Sequence, residues 1–415
     1  MRRFAVLGLL CLLAACGTPR RVPPVAPVAP PSVVTPVAPV VSPVTTVPAS
    51  AKDLGVRAGP GLTDLPGWAE ADLAPSLATF RKSCRALSRR ADPSGLTTAA
   101  DWADVCANPA SDARAFFESQ FATIIIGEGT GLNTGYFEPE LIGARTNQPG
   151  SPFPVYRRPP ELVEVDLGQF AESLKGKRIR GRVVNATLVP YFDRAEIEDG
   201  AIAGRGLEIA WVADPYELFF LHIQGSGRVR LADGSVLRIG YDGQNGRDYV
   251  GIGKLLRDRN LLGKGQASMD GIIGWMKANP EAGKALMREN GSYIFFRPLT
   301  GDGPLGALNI ALTPGLSVAA DPAFTPLGAP LWLETSIPEP AATSLGYAMT
   351  PFRALMVAQD TGGAIKGANR FDLFWGPGER ARKIAGGLSS TGRAVFLLPK
   401  AAVARLLTDG TPARL

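Results

Sequence analysis

Three aspartates in the C-terminal third of this 415-residue chain stand where a carboxylic acid can do chemistry. Asp321 lies in Val318-Ala319-Ala320-Asp321-Pro322, Asp360 in Met356-Val357-Ala358-Gln359-Asp360-Thr361-Gly362-Gly363, and Asp372 in Arg370-Phe371-Asp372-Leu373-Phe374-Trp375. Each abuts apolar, strand-like sequence. A carboxyl in such a place either caps a turn or has its pKa raised enough to donate a proton near neutrality. His222 is the only histidine, which removes Ser-His-Asp and Cys-His nucleophiles and histidine-built zinc sites. Gly251-Ile252-Gly253-Lys254 lacks the full spacing and the following Ser/Thr of a phosphate loop. Acid–base chemistry by carboxylates remains, and nothing in the chain calls for a metal or an organic cofactor. On the residues alone, none of the three aspartates outranks the others.

The elements that must position them read as mainly β with some helices. From Thr134 onward the chain consists largely of short strand-like runs broken by Gly, Pro and Asp. Residues 229–231 and 236–239 flank Asp233-Gly234, a hairpin signal, and His222 reads as a packed strand residue. Before this, Leu73, Leu77, Phe80, Cys84 and Leu87 form one apolar stripe with Arg81, Arg85, Arg89 and Arg90 off it, which predicts a core-packing helix. A second helix is expected through 113–121, with Cys106 between the two. Later helices are expected at 268–278 with Ser268 as N-cap, at 281–289, and briefly near 379–388. Strand texture returns at 293–297 and continues to Leu398.

The N-terminus has a different organisation. Arg2 and Arg3, an apolar run from Phe4 to Leu12, and Leu13-Ala14-Ala15-Cys16 resemble the signal and lipobox of a bacterial lipoprotein. That resemblance implies a signal peptide over 1–15 and acylation of Cys16, so the chain would be anchored to a membrane rather than span it. Gly17, in place of an aspartate, points to the periplasmic face of the outer membrane of a Gram-negative cell. Residues 16–50 are a Pro/Val/Ala tract, at about 3.1 Å per residue a semi-rigid spacer of roughly 90 Å. Cys11 would leave with the signal, so Cys84 and Cys106 are the thiols left in an oxidising compartment and are expected to pair. A composition of 45% hydrophobic and 20% charged residues is that of a globular protein with room for two domains. The net charge of +6 comes without a basic cluster interleaved with aromatics, so nucleic acid is not an expected partner, while an anionic wall polymer is compatible.

Asp360 to Gly367, Phe371-Asp372 and Asp321-Pro322 together resemble the three-aspartate domain of the membrane-bound lytic murein transglycosylase A family. Thr134-Gly135-Tyr136-Phe137-Glu138-Pro139, Phe153-Pro154-Val155-Tyr156, Ile223-Gln224-Gly225-Ser226-Gly227 and Tyr241-Asp242-Gly243-Gln244-Asn245-Gly246 resemble that family's inserted domain. The resemblance implies a double-psi β-barrel built from 51–139 plus 301–415, with a second, smaller β-barrel inserted over 140–300 and a substrate groove between them. Ala368-Asn369-Arg370 makes the turn after Asp360 one residue longer than the family pattern, which leaves the strand pairing there open.

The implied activity is cleavage of the β-1,4 bond between N-acetylmuramic acid and N-acetylglucosamine in peptidoglycan, leaving a 1,6-anhydromuramyl end. An exo-acting lyase is the implied type. Asp372 would be the acid/base, with Asp360 supporting and Asp321 supporting or structural. Such an acid must start protonated, so its pKa must stand about 3 units above a free aspartate, a differential of roughly 4 kcal/mol. Thr134, Tyr136, Gln224, Ser226 and Trp375 are the expected substrate-binding residues. Partners are peptidoglycan strands and, through the lipid, a membrane, with room for other cell-wall enzymes. Two alternatives stand beside this: an inverting glycan hydrolase using Asp372 and Asp360, and a non-catalytic wall-binding lipoprotein.

Overall fold

The computed structural model describes residues 50–408 apart from 264, 265, 267, 302 and 340–347. The expected signal, Cys16 and nearly all of the Pro-rich tract lie outside the described residues. No helix among the described residues is long and apolar enough to cross a membrane.

Six strands close on themselves: β1 (Thr130–Glu138), β2 (Ser317–Ala320), β3 (Pro330–Pro338), β4 (Met349–Asp360), β5 (Phe371–Pro377) and β6 (Ser389–Pro399). Around the ring the order is β6, β3, β4, β2, β5, β1 and back to β6. Two pairings, β2 with β4 and β5 with β1, are parallel, and the others are antiparallel. Closure removes free edges. Two further strands, Phe121–Ile126 and Val56–Ala58, extend the sheet beyond β6.

The barrel wall is buried on both faces where helices cover it, so its strands read as continuous apolar runs rather than alternating ones. Leu355 to Ala358 and Val395 to Leu398 are all buried, as are Leu331, Trp332 and Leu333. The helices Ala74–Leu87, Ala99–Ala107 and Ala113–Gln120 pack outside. Phe80 meets Phe121 edge-on at 5.6 Å between ring centroids and Phe116 at 6.0 Å, with Trp102 beside them. The stripe of the first helix faces this cluster as its spacing predicts, Leu77, Phe80 and Leu87 being buried. The middle helix was not anticipated. It carries Cys106, which is bonded to Cys84 across a sequence separation of 22.

Between β1 and β2 the chain builds a second body. Its main sheet runs Ile294–Pro298, Val236–Gln244, Ser226–Arg230, Glu140–Ala144, Glu208–Val212, Phe153–Tyr156. The two outermost strands come into contact without pairing, so the sheet is curled rather than closed. The expected hairpin is present, with Arg230 opposite Val236 across the Asp233-Gly234 turn. His222 sits on a helix, Pro215–Gln224, not on a strand. Asp214 caps that helix by accepting from the Tyr216 and Glu217 N–H groups, and Gly225 ends it in the left-handed conformation at φ 75°. The His222 ring is buried against Tyr293 and Phe296. Helices Ile252–Asp258, Met269–Ala278 and Pro280–Glu289 share a second core with Phe219, Phe220, Phe137 of β1, and Ala381 and Ala385 on the barrel side.

Two ionic ties join the bodies. Buried Glu138, at the end of β1, accepts from Arg228 Nε at 3.1 Å and Arg238 Nη2 at 3.2 Å. Arg382, on the barrel-side helix Glu379–Gly387, is bidentate to Glu217 at 3.0 Å and also reaches Asp270. Replacing Cys84 and Cys106 by alanine is expected to lower unfolding stability by about 3 kcal/mol in the chain-entropy model. Chemical denaturation of both forms, with and without reductant, measures it, and reductant should affect only the parent.

Candidate active site

The strand register brings the expected site residues into one row. Asp372 on β5 lies opposite Thr134 on β1 and opposite Ala319 on β2, and Ala319 lies opposite Asp360 on β4. Asp360, Ala319, Asp372 and Thr134 therefore occupy four consecutive strands. The two acids are two strand spacings apart along the backbone, about 9–10 Å, with a methyl group between them. A bulge between Val318 and Ala319 puts Asp360 into this row. The long turn after Asp360 is accommodated by Asn369, which adopts φ 54° while its side-chain amide donates to the Ile126 carbonyl at 3.0 Å.

The acids are wired differently. The Thr134 hydroxyl donates to Asp372 Oδ1 at 2.6 Å. Asp360 has both oxygens engaged: Tyr136 donates its hydroxyl to Oδ2 at 2.8 Å, and the Ala307 N–H donates to Oδ1 at 3.0 Å. Burial pushes the pKa of both aspartates up. For Asp360 it reaches about 6, the donors from Thr361, Tyr136 and Ala307 holding it back and the Asp372 charge adding to it. For Asp372 burial outweighs the Thr134 hydrogen bond and the Arg370 charge, both of which lower it. Burial together with the Asp360 carboxylate drives Tyr136 well above the ordinary phenol range, so it remains a donor.

Asp321 has another job. Its carboxylate accepts from the Gly367 N–H at 2.8 Å and the Ala323 N–H at 3.1 Å, capping the turn after β2 and tying down the β4–β5 loop. Gln224 accepts from the Phe137 N–H at 2.9 Å and so joins the second body to β1 beside the acids. Ser226 opens the next strand, buried opposite Gly240. Trp375 packs edge-on to Phe352 at 5.6 Å and against Gly135, where a Cβ would lie 3.0 Å from the indole Nε1 and 2.8 Å from Ala385 Cα. Only glycine fits there.

Three contributors escaped the sequence reading. The Ala307 amide is a backbone donor and leaves no side-chain signature. Arg370 is the cation acting on Asp372. Tyr249 feels the Asp372 charge, which together with burial raises its pKa. Its position, shortly after Tyr241-Asp242-Gly243-Gln244-Asn245-Gly246, was the available signal. Among the described residues no group of three or more His, Cys, Asp or Glu side chains is placed to hold a metal ion.

A closed barrel and an inserted body that meet beside a part-buried pair of aspartates define a two-body protein with its carboxyl groups near the junction. The family model described as the MltA specific insert domain matches residues 132–297, and the 3D domain model matches 316–398. The crystal structure of the membrane-bound lytic murein transglycosylase from Agrobacterium tumefaciens is 33% identical, with TM-score 0.73, over 85% of this chain and 99% of that one. Escherichia coli MltA with bound chitohexaose is 26% identical, with TM-score 0.59, over 79% and 89%. The membrane-bound lytic murein transglycosylase A of Vibrio cholerae is 37% identical over 202 residues, 48% of this chain and 54% of that protein's length. The match thus spans about half of that curated relative. This chain belongs to the membrane-bound lytic murein transglycosylase A family.

The raised Asp360 pKa has a measurable consequence. Between its ordinary 3.8 and about 6 the folded protein binds a proton that the unfolded chain has released. Stability from this group is therefore present below pH 3.8 and lost as pH rises through about 6, a change of about 3 kcal/mol. Asp360→Asn is expected to flatten the fall in stability across that window relative to the parent, as read by denaturant unfolding at a series of pH values.

Proposed function

We propose that this protein is a membrane-anchored lytic transglycosylase that cuts the β-1,4 bond from N-acetylmuramic acid to N-acetylglucosamine and leaves 1,6-anhydromuramyl ends. The observation that carries this reading is the unequal wiring of the two acids. Asp372 is part-buried, with its pKa raised by desolvation and one side-chain donor, as a proton donor requires. Asp360 has both oxygens occupied, so it is poorly placed to activate a water. An inverting hydrolase needs a free second carboxylate about 6.5–9.5 Å from the acid.

A lone acid suffices when the nucleophile belongs to the substrate. Protonated Asp372 donates to the departing glycosidic oxygen. The resulting carboxylate then takes the proton from the muramyl C6 hydroxyl as that oxygen closes on C1. Asp360 holds Tyr136, whose ring lies 5.2 Å from that of Phe374, and so braces the wall beside the acid. The names of the relatives and the chitohexaose bound by one of them support a glycan strand as substrate. The names also support a membrane-associated Gram-negative envelope location, and the lipobox-like segment ending in Cys16-Gly17 supports Cys16 as the lipid attachment and the outer membrane as the destination.

Purified protein incubated with sacculi should release fragments whose anhydro ends are one water lighter than reducing ends by mass spectrometry. Reducing ends would support hydrolysis, and no release would support a binding role. Asp372→Asn should lower turnover by about 10³-fold while the melting temperature is retained, and a variant that still cuts would sink the assignment. Because the acid form is the active one, the rate should fall as pH rises through the raised Asp372 pKa. Thr134→Val removes a hydrogen bond that lowers this pKa, so the alkaline limb of the pH–rate profile should move to higher pH.

A further inference from the structure

Between β1 and the barrel-side helix on one side and the insert on the other lies a cavity of about 320 Å³ to which the reaction above assigns no role. Gly135, next to Thr134, and Tyr249, which carries the influence of the Asp372 charge, are in its lining. The cavity therefore lies one residue along β1 from Thr134, which holds the acid. Phe220 and Ile252 contribute to an apolar wall, while Lys254 and Arg257 supply the only charged side chains among its lining residues. Lys254 is paired with Asp258 one helical turn on. Arg257 has no acidic partner among the described residues. A pocket with an apolar wall, cations and no lining carboxylate selects a small amphipathic anion.

We propose that this cavity is a side pocket for the carboxylate-bearing branch of the glycan, with Arg257 as the residue that determines specificity for it and Lys254 assisting. This rests on the glycan-cleaving reading and specifies which part of the substrate is recognised. In an alternating N-acetylglucosamine–N-acetylmuramic acid strand the sugars are neutral. Every charge hangs from the lactyl ether at C3 of the muramyl ring, either as the lactyl carboxylate itself or on the peptide stem that extends from it. Both forms present a methyl group close to the point of attachment, which suits the apolar wall. Arg257 offers planar, paired donors to a carboxylate, and the branch is on the sugar whose C1 is attacked. The Gly-Ile-Gly-Lys segment at 251–254, which is no phosphate loop, supplies the pocket's rim.

The test is the affinity of the full-length chain carrying Asp372→Asn, measured by calorimetry with three hexasaccharide probes. These are chitohexaose, an N-acetylglucosamine–N-acetylmuramic acid oligomer with free lactyl carboxylates, and the same oligomer carrying peptide stems. At low salt at least one carboxylate-bearing probe should bind about fivefold tighter than chitohexaose. Adding Arg257→Gln should bring that ratio towards one, and Arg257→Lys should restore part of it. Gain with the free lactyl probe alone, with the stem probe alone, or with both identifies the source of the carboxylate and supports the proposal. If Arg257→Gln lowers the melting temperature, the loss of the ratio at high salt in the Asp372→Asn chain decides instead. A ratio near one, or one that neither Arg257→Gln nor salt changes, would overturn it. Binding needs no turnover, so anhydro ends from sacculi without a binding ratio would discard the pocket alone. No fragments from sacculi would discard the cleavage reading, whatever the ratio.

Discussion

The strand from Thr130 to Glu138 is the constraint on which the site depends. It is the only barrel strand that precedes the insert, and it closes the ring by pairing in parallel with Phe371–Pro377 and antiparallel with Ser389–Pro399. The same strand presents Thr134 and Tyr136 to the two acids and ends in buried Glu138, which holds Arg228 and Arg238 of the insert. Barrel closure, acid wiring and insert attachment are thus one structural event. Its hydrogen bonds to the two acids span 238 and 224 positions. The chain must pay the entropy of closing that long loop before any of the site exists.

Placing two acids in one row of a closed sheet creates an electrostatic problem that the fold handles unequally. In a buried setting two carboxylates cannot both stay charged cheaply. Separation by a whole strand, with only the Ala319 methyl between them, weakens their repulsion. The donors then settle the division of labour. Tyr136, Ala307 and Thr361 compensate the Asp360 charge, while Asp372 has the Thr134 hydroxyl and a half-buried Arg370. The second ionic tie, Arg382 with Glu217 and Asp270, fixes the helix that follows the Asp372 strand to the other wall of the cleft. Lateral movement of that wall is resisted by geometry that lies away from the acid itself.

Much of this was legible in local sequence. The stripe from Leu73 to Leu87, the Ser268 cap and the Asp233-Gly234 hairpin depend on neighbours within a few residues, and the structure has them where the spacing predicts. The family resemblance is what raised Asp372 above Asp321 and Asp360. What escaped was ambiguous or non-local. Leu218 to Leu221, just before His222, is an unbroken apolar run, which periodicity cannot assign to strand or helix. The deciding signals, Asp214-Pro215 before it and Gly225 after it, were present at its ends. The helix Ala99–Ala107 buries only Trp102 and Val105, too few for a stripe, yet Thr98 and Asp101 form a capping box that marks its start. The Asp360–Ala319–Asp372 row needed a bulge and a parallel pairing, and neither has a one-dimensional signature. The Ala307 amide could not have been found from side chains at all.

The architecture also bears on how a single acid can avoid hydrolysis. If the muramyl C6 hydroxyl is to outcompete water at C1, it must be held in a conformation close to attack while bulk water is kept away. Well-oriented intramolecular nucleophiles reach effective molarities of about 10⁵–10⁸ M, far above the concentration of water, so orientation alone can decide the product. A site on rigid, closed strands is suited to that, because Asp372 is fixed by pairings on both sides rather than by a loop. Phe374 and Ala319 pack with Leu312 and Ile365 in an apolar cluster, and the Tyr136 hydroxyl at its edge is already committed to Asp360. The same burial that raises the Asp372 pKa therefore also favours the internal nucleophile, and one physical cause serves both halves of the proposed reaction.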